Sequence, residues 1–311
     1  MGLMRSVLLW ASENQTLKEK VPQMIFVQKA LKKFMPGEQI EDAINATKNF
    51  RQNKIPAIFT RLGENVKNIS DAEEVKNHYL ALIDKLASEK LDVEISLKLT
   101  QLGFDLSEEK TFENLNEIAK KAKRKLRNTV WIDMEGSAYT KRTINFYMKL
   151  KKEVDNIGIC LQAYLFETHE ELNRLMKVKP AIRLVKGAYK ESPDIALKDK
   201  FRVDENYLDL SQKMISAVKE ESIRAVFGTH DLKLVKAIND YAKAIELEKD
   251  KYEFHMLYGI KSGEQLRLAN EGFKIRVLIS YGTAWYPWYL RRLAERPANV
   301  TFVLKNIFSK K

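Results

Sequence analysis

The feature that most constrains this chain is a series of eight short β-rich runs, each separated from the next by a stretch long enough for one amphipathic helix. The runs fall at residues 56–60, 93–98, 130–134, 157–163, 181–186, 224–229, 252–257 and 274–280. Between them stand helix-start patterns. Ser70 with Glu73, Thr168 with Glu171 and Ser262 with Gln265 fit the capping box, in which a side-chain oxygen satisfies an orphaned helix N–H. Strands that alternate with helices form parallel sheets, because parallel neighbours need a crossover between them. Eight such units in series predict an α/β fold closed into a (β/α)8 TIM-type barrel; an open doubly wound sheet is the alternative.

Residues 1–50 have a different texture. Met24, Ile25, Val27, Leu31 and Phe34 form one helical stripe, Pro36-Gly37 interrupts it, and Ile40, Ala43, Ile44, Ala46 and Phe50 mark a second helix. The expected organisation is a helical N-terminal extension over 1–50 and a barrel catalytic domain over 51–311.

Several site types are excluded. No two of the 12 glycines stand two apart, so both the G-x-G-x-x-G fingerprint and a Walker A loop are absent. Cys160 is the only cysteine, which removes disulfide frameworks and cysteine-based zinc sites and suits a reducing, cytoplasmic setting. His78, His169, His230 and His255 show no metal-ligand spacing, so no metal is expected. The apolar run at 6–11 is too short to span a membrane.

The net charge is +12. Part of it sits in the run KKAKRKLR at 120–127, read as the solvated face of the helix before the third strand. Contact with an anionic membrane surface is the functional alternative. No aromatic residues interleave it, so nucleic acid is not the expected partner.

Side chains alternate along a strand, so parity separates inward from helix-facing positions. In the second run Val93, Ile95 and Leu97 face the helices, leaving Glu94, Ser96 and Lys98 inward. The same test places Asp133, Gln162, Arg183, Glu253, His255, Arg276, Leu278 and Ser280 inward. Barrels build their sites at C-terminal strand ends, and Lys98, Asp133, Gln162, Arg183 and His255 read as one cationic pocket there. Lys186-Gly187 runs off the fifth strand. Thr229-His230-Asp231 opens the helix after the sixth, where free N–H groups suit a phosphate unless Asp231 is simply the helix cap. On the last helix Trp288, Arg291, Arg292 and Glu295 share one face; the two arginines suit a forked carboxylate clamp, against a plain Arg291–Glu295 surface pair.

Taken together, RLVKGAY (183–189), GTHD (228–231), EFHMLYG (253–259), IDME (132–135), LGE (62–64) and YLRRLAE (289–295) resemble the proline dehydrogenase family over about residues 36–305. The resemblance implies a distorted barrel with its last helix capping the active site, and FAD held without a Rossmann fold. It implies oxidation of L-proline to Δ1-pyrroline-5-carboxylate, with electrons passed to a membrane quinone by an enzyme on the inner face of the membrane. By the same resemblance Lys98, Arg291 and Arg292 bind the substrate carboxylate. Arg183 sits by the flavin and Asp133 is an active-site carboxylate near Lys98. Met134, Gln162, Lys186, Gly187, Ala188, Thr229 and His230 contact FAD, and Glu64 pairs with a final-helix arginine as a gate. Leu278 and Trp288 stand where the family usually carries tyrosines at the substrate, and His255 where it carries glutamine. This altered wall admits hydroxyproline or another cyclic or N-alkyl amino acid as the alternative substrate. Two rival readings need no flavin: a Schiff-base barrel using Lys98 or Lys186, and a basic scaffold without catalytic activity.

Overall fold

All eight runs become parallel strands of one closed barrel in strict chain order, the last pairing with the first. The strands are β1 (Ala57–Arg61), β2 (Val93–Leu97), β3 (Val130–Ile132), β4 (Ile157–Gln162), β5 (Ala181–Val185), β6 (Arg224–Gly228), β7 (Glu253–Leu257) and β8 (Lys274–Tyr281). The structure, a computed structural model, describes residues 31–51 and 53–295, together with positions 8, 10, 11, 14, 16, 17, 21, 27 and 28. Sequence and structure differ most at β3. Its ladder ends at Ile132, so Asp133 and Met134 belong to the loop, although Asp133 N–H still donates to Leu97 C=O at 2.8 Å.

Helix α1 (Ile40–Arg51) precedes the barrel. Then follow α2 (Ile69–Ser88), α3 (Glu108–Leu126), α4 (Ser137–Leu150), α5 (Thr168–Met176), α6 (Lys200–Lys219), α7 (Leu232–Ala244) and α8 (Ser262–Asn270), one after each of the first seven strands. Helix α9 (Trp285–Glu295) follows β8. Val93, Ile95 and Leu97 are buried in the layer between sheet and helices. A separate cluster fills the lumen: Ile58, Trp131, Ala181 and Val226, with Leu278 half-buried against them.

The three capping boxes are not formed. The residues that cap α2, α5 and α8 are Asn68, Glu167 and Lys261, none with a side-chain cap bond, and Ser70, Thr168 and Ser262 lie inside their helices. The reason is visible at Thr168, whose hydroxyl donates instead to Gln162 C=O at 2.6 Å. Side-chain caps occur elsewhere, where Ser107, Asp199 and Asp231 accept from Lys110, Arg202 and Lys233 N–H.

Ala43, Ile44 and Ala46 of α1 are buried in the same core as the barrel strands and their helices. Val27, Leu31, Phe34 and Met35 instead form a second core with Trp285, Tyr286, Tyr289, Leu290 and Leu293 of α9. Trp285 Nε1–H donates to Glu38 Oε1 at 2.7 Å, tying the two segments together. Met24 and Ile25 of the predicted stripe lie outside the described residues. Each apolar side chain fully buried there contributes roughly 1.5–3 kcal/mol, so the last helix is seated mainly by the N-terminal segment. No helix among the described residues is long and apolar enough to cross a membrane.

Candidate active site

At the C-terminal ends of β2 to β5 the inward side chains form a bonded group centred on Arg183, only 3% exposed. Its Nη2 donates to Asp133 Oδ1 and, at 2.7 Å, to Ser96 Oγ; its Nε donates to Cys160 Sγ at 2.8 Å. Ser96 Oγ–H donates in turn to Asp133 Oδ1 at 2.8 Å. The guanidinium carbon lies 5.1 Å from the Trp131 ring centroid, a cation–π contact within the lumen. One buried donor, Arg183 Nη1, has no protein partner.

A second ionic group lies at the rim. Glu64, in the loop after β1, accepts from both terminal nitrogens of Arg291 on α9, at 3.0 and 3.3 Å. Lys98 Nζ stands 3.5 Å from Glu64 Oε2. Burial pushes the Glu64 carboxyl up, but the attraction of Lys98 and Arg291 outweighs it and holds it below the usual value. Arg291 also lies over the ring of Tyr189, 5.8 Å from its centroid. Arg291 thus pairs with Glu64, and the Arg291–Glu295 alternative falls on a side chain outside the described residues. Arg292 and Trp288 occupy half-buried positions on the same helix.

Glu135 was not singled out from sequence, yet it is buried beside these groups. It accepts from Thr100 N–H and from Thr100 Oγ1–H at 3.3 and 2.7 Å. Burial, opposed by Lys98 and by the two Thr100 bonds, pushes its carboxyl up to about 7. The available signal was parity, because Glu135 follows inward-facing Asp133 by two residues. Gln162 braces the same loop, its Nε2 donating to Met134 C=O at 3.2 Å and Glu135 C=O at 2.8 Å.

Further round the mouth, Lys186 is held by Asp204 and, at 3.4 Å, by Asp231. Asp231 caps α7, as the plainer sequence reading had it, and its N–H donates to Thr229 Oγ1 at 3.1 Å. His230 Nε2 accepts from Leu257 N–H at 2.8 Å. Gly187 has φ +115°, and a Cβ there would stand 2.3 Å from the Tyr164 ring. Only glycine lets the strand turn that closely. Ala188 is half-buried beside it, and Met134 points into the outer core at 7% exposure.

His255 does not share the Arg183 group. Its ring packs edge-on against Trp131 at 5.5 Å between centroids, with Nε2 3.5 Å from Glu253 Oε2, and burial lowers its pKa to about 4. Glu253 and Arg276 lie lower still, at the N-terminal end of the lumen with Glu94 and Arg224. Alternation gives the face a side chain takes but not its partners: Arg183 and His255 both pack on Trp131, and only Arg183 is bonded to Asp133.

The family model for proline dehydrogenase matches residues 43–305, spanning the whole of this site. The chain belongs to the proline dehydrogenase family. It is 35% identical over 308 residues to proline dehydrogenase 1 of Bacillus subtilis subsp. natto, covering 99% of this chain and 100% of that one. It is 30% identical over 310 residues to the proline dehydrogenase of Deinococcus radiodurans, covering 98% of each. Among solved structures, proline utilization A of Bdellovibrio bacteriovorus inactivated by N-propargylglycine matches with a TM-score of 0.81 at 24% identity. That match covers 99% of this chain and 37% of the longer protein, and shows a common fold. As a proline dehydrogenase family member the chain is an oxidoreductase.

Proposed function

We propose that this enzyme oxidises L-proline to Δ1-pyrroline-5-carboxylate with bound FAD and passes the electrons to a membrane quinone. The observation that carries the reading is the forked Arg291–Glu64 pair with Lys98 beside it. Two cations held at the mouth by one carboxylate are ready to exchange it for the carboxylate of a small amino acid. Glu64 then acts as a gate, and Arg292, on the next position of α9, completes the clamp.

The residues present fit the cofactor. Arg183 Nη1 and Gln162 Oε1 are buried polar atoms without a protein partner, and Gly187 permits close approach of backbone to a flat ring. Arg183 and Gln162 would hold the isoalloxazine ring, flanked by the backbone of Met134 and by Gly187 and Ala188. Lys186, Thr229 and His230 would face the phosphates. When bound, the flavin supplies the hydride acceptor.

The chain's own contribution is orientation and charge. Asp133 and Ser96 hold Arg183 in one rotamer, and Lys98 with the two arginines fixes the ring of the substrate through its carboxylate. Hydride leaves a carbon next to a neutral amine. The positive charge of Arg183, Lys98, Arg291 and Arg292 disfavours the ammonium form and so favours the reactive one. Both candidate Schiff-base lysines, Lys98 and Lys186, are engaged in ion pairs, an arrangement that suits anion binding better than nucleophilic attack.

Leu278 supports a second substrate. It is half-buried in the lumen beside Ile58 and Trp131, an apolar wall with no hydroxyl to order the ring. A panel of proline, 4-hydroxyproline and N-methyl amino acids, read by bleaching of flavin absorbance, tests both readings together. Reduction by proline supports the first, and preferential reduction by hydroxyproline the second. A colourless protein that added FAD cannot reconstitute would overturn both.

For the quinone, the mouth face is the side we assign to the meeting with the inner membrane surface from the cytoplasm. Outside the N-terminal segment, the exposed large apolar side chains among the described residues are Ile69, Leu106, Phe166, Ile195 and Phe201, all at this end of the barrel. The basic run at 120–127 ends α3 just before β3, at the opposite end. Equal co-sedimentation with anionic and zwitterionic vesicles is expected; binding lost on neutralising the basic run would reverse the orientation.

A further inference from the structure

Glu135 is a buried carboxylate that the substrate clamp leaves unused, 5% exposed and engaged through both oxygens by a single residue, Thr100. Thr100 lies in the turn Leu99–Leu102, which begins directly after Lys98. The turn is tied twice more. Lys98 N–H donates to Gln101 Oε1 at 3.1 Å, and Gln101 Nε2 donates to Arg61 C=O at 2.8 Å. On the other side Gln162 holds the Glu135 carbonyl. One carboxyl thus couples the loop after β3 to the backbone that carries Lys98.

We propose that Glu135 is a positioning residue for Lys98, its carboxyl clamping the turn and setting how much of the ammonium charge is left for a substrate carboxylate. This rests on the reading of Lys98 as a carboxylate ligand. The ionisable groups facing Glu135 are Lys98 from β2, Glu64 from the loop after β1, Tyr139 of α4 and Tyr189 of the loop after β5, with Asp133 two positions before it. Lys98 attracts the ionised form and Glu64 repels it. Burial outweighs the attraction, so the carboxyl changes charge near pH 7. Below that pH it is neutral and the Lys98 charge is available. Above it, a second negative charge beside Lys98 competes with the incoming carboxylate, and affinity falls.

The test is the calorimetric Kd of cyclopentanecarboxylate, a ring carboxylate with no amine to oxidise, measured on the holoenzyme from about pH 6 to pH 8.5. The natural enzyme should weaken by about tenfold across that range, the effect of one pKa unit of coupling. Glu135→Gln, neutral and similar in shape, should keep the low-pH affinity throughout, while its kcat for proline still rises with pH. Glu135→Asp, which titrates but reaches Thr100 poorly, should retain the pH step with weaker binding at every pH; should Glu135→Gln not fold, this variant carries the test. A pH profile unchanged in Glu135→Gln, with binding abolished in Lys98→Ala, would overturn the role of Glu135 alone. Affinity unchanged in Lys98→Ala would overturn the clamp and the role of Glu135 with it.

Discussion

At the N-terminal end of the lumen, Glu94, Arg224, Glu253 and Arg276 form a closed ionic network. Arg224 donates to Glu94 at 2.7 Å and, forked, to Glu253 at 2.9 Å through Nε and Nη2; Arg276 adds Asp92 at 3.0 Å, and Trp131 Nε1–H reaches Glu94 at 2.6 Å. At the C-terminal end, the same residue types form groups that remain incomplete. Arg183 keeps a buried donor without a partner, Glu64 shares itself between Lys98 and Arg291, and Glu135 has only Thr100 on its carboxyl. Charge and burial are alike at the two ends; completeness differs. A network with every charge matched closes the barrel floor, whereas one with spare donors and exchangeable partners is free to accept a ligand.

The largest expected effect breaks the floor. Glu94→Ala leaves Arg224 and the Trp131 N–H short of a buried partner and should cost about 3–5 kcal/mol of stability. It should appear as a lower urea midpoint, with kcat/KM for proline unchanged in the protein that remains folded. A comparable loss of turnover would mean that the floor and the site are not separate.

Protonation gives a second contrast of similar size. Burial lowers His255 from 6.5 to about 4, so the unfolded chain binds the extra proton between those values. The stability it contributes is complete above pH 6.5 and is lost as pH falls toward 4. His78, also lowered to about 4, adds in the same direction. Glu135 is raised from 4.5 to about 7, so its contribution is complete below pH 4.5 and lost as pH rises to 7. Each amounts to about 3 kcal/mol over its full window, and the two oppose one another where they overlap. Denaturant midpoints in His255→Gln should show stability falling more steeply as pH rises from 4.5 to 7, and in Glu135→Gln rising more steeply. Parallel curves in the two variants would contradict the assignment.

A smaller effect should follow Arg291→Ala, which removes a forked, charge-assisted contact worth about 1.5–3 kcal/mol. The expected result is roughly a ten- to hundredfold loss in kcat/KM for proline with the urea midpoint almost unmoved, the mirror image of Glu94→Ala. Smallest of all, replacing Lys120, Arg124 and Lys125 by serine should change stability by no more than about 0.5 kcal/mol for each and leave turnover as it was. These side chains are exposed at the end of the barrel away from the mouth.

Much of this was readable in advance because it rests on short-range patterns. Each strand falls within two residues of its apolar run at either end, and Arg183, Asp133 and Lys98 face inward as their parity requires. Gly187 occupies the tight turn after β5. The capping boxes misled because a hydroxyl such as that of Thr168 has more than one backbone acceptor within reach. Glu135 was passed over although it shares the parity of Asp133, since nothing in the local sequence shows that the loop beyond β3 keeps its inward direction.

What the chain's own sequence determined is the alternation: which residues lie in strands, which side of the sheet each faces, and hence that charged side chains would line the lumen. That follows from backbone geometry, in which successive side chains point to opposite faces whatever surrounds them. Only the tertiary structure decided height and partnership. Parallel strands in a barrel are staggered against one another, so residues at the same step of two strands meet different levels of the lumen. The stagger separates Glu253 and Arg276 from Arg183, while the packing of α9 on the N-terminal segment brings Arg291 to Glu64 across 227 positions. No local rule carries that information, because it arises from closing the sheet on itself and from docking the last helix against it.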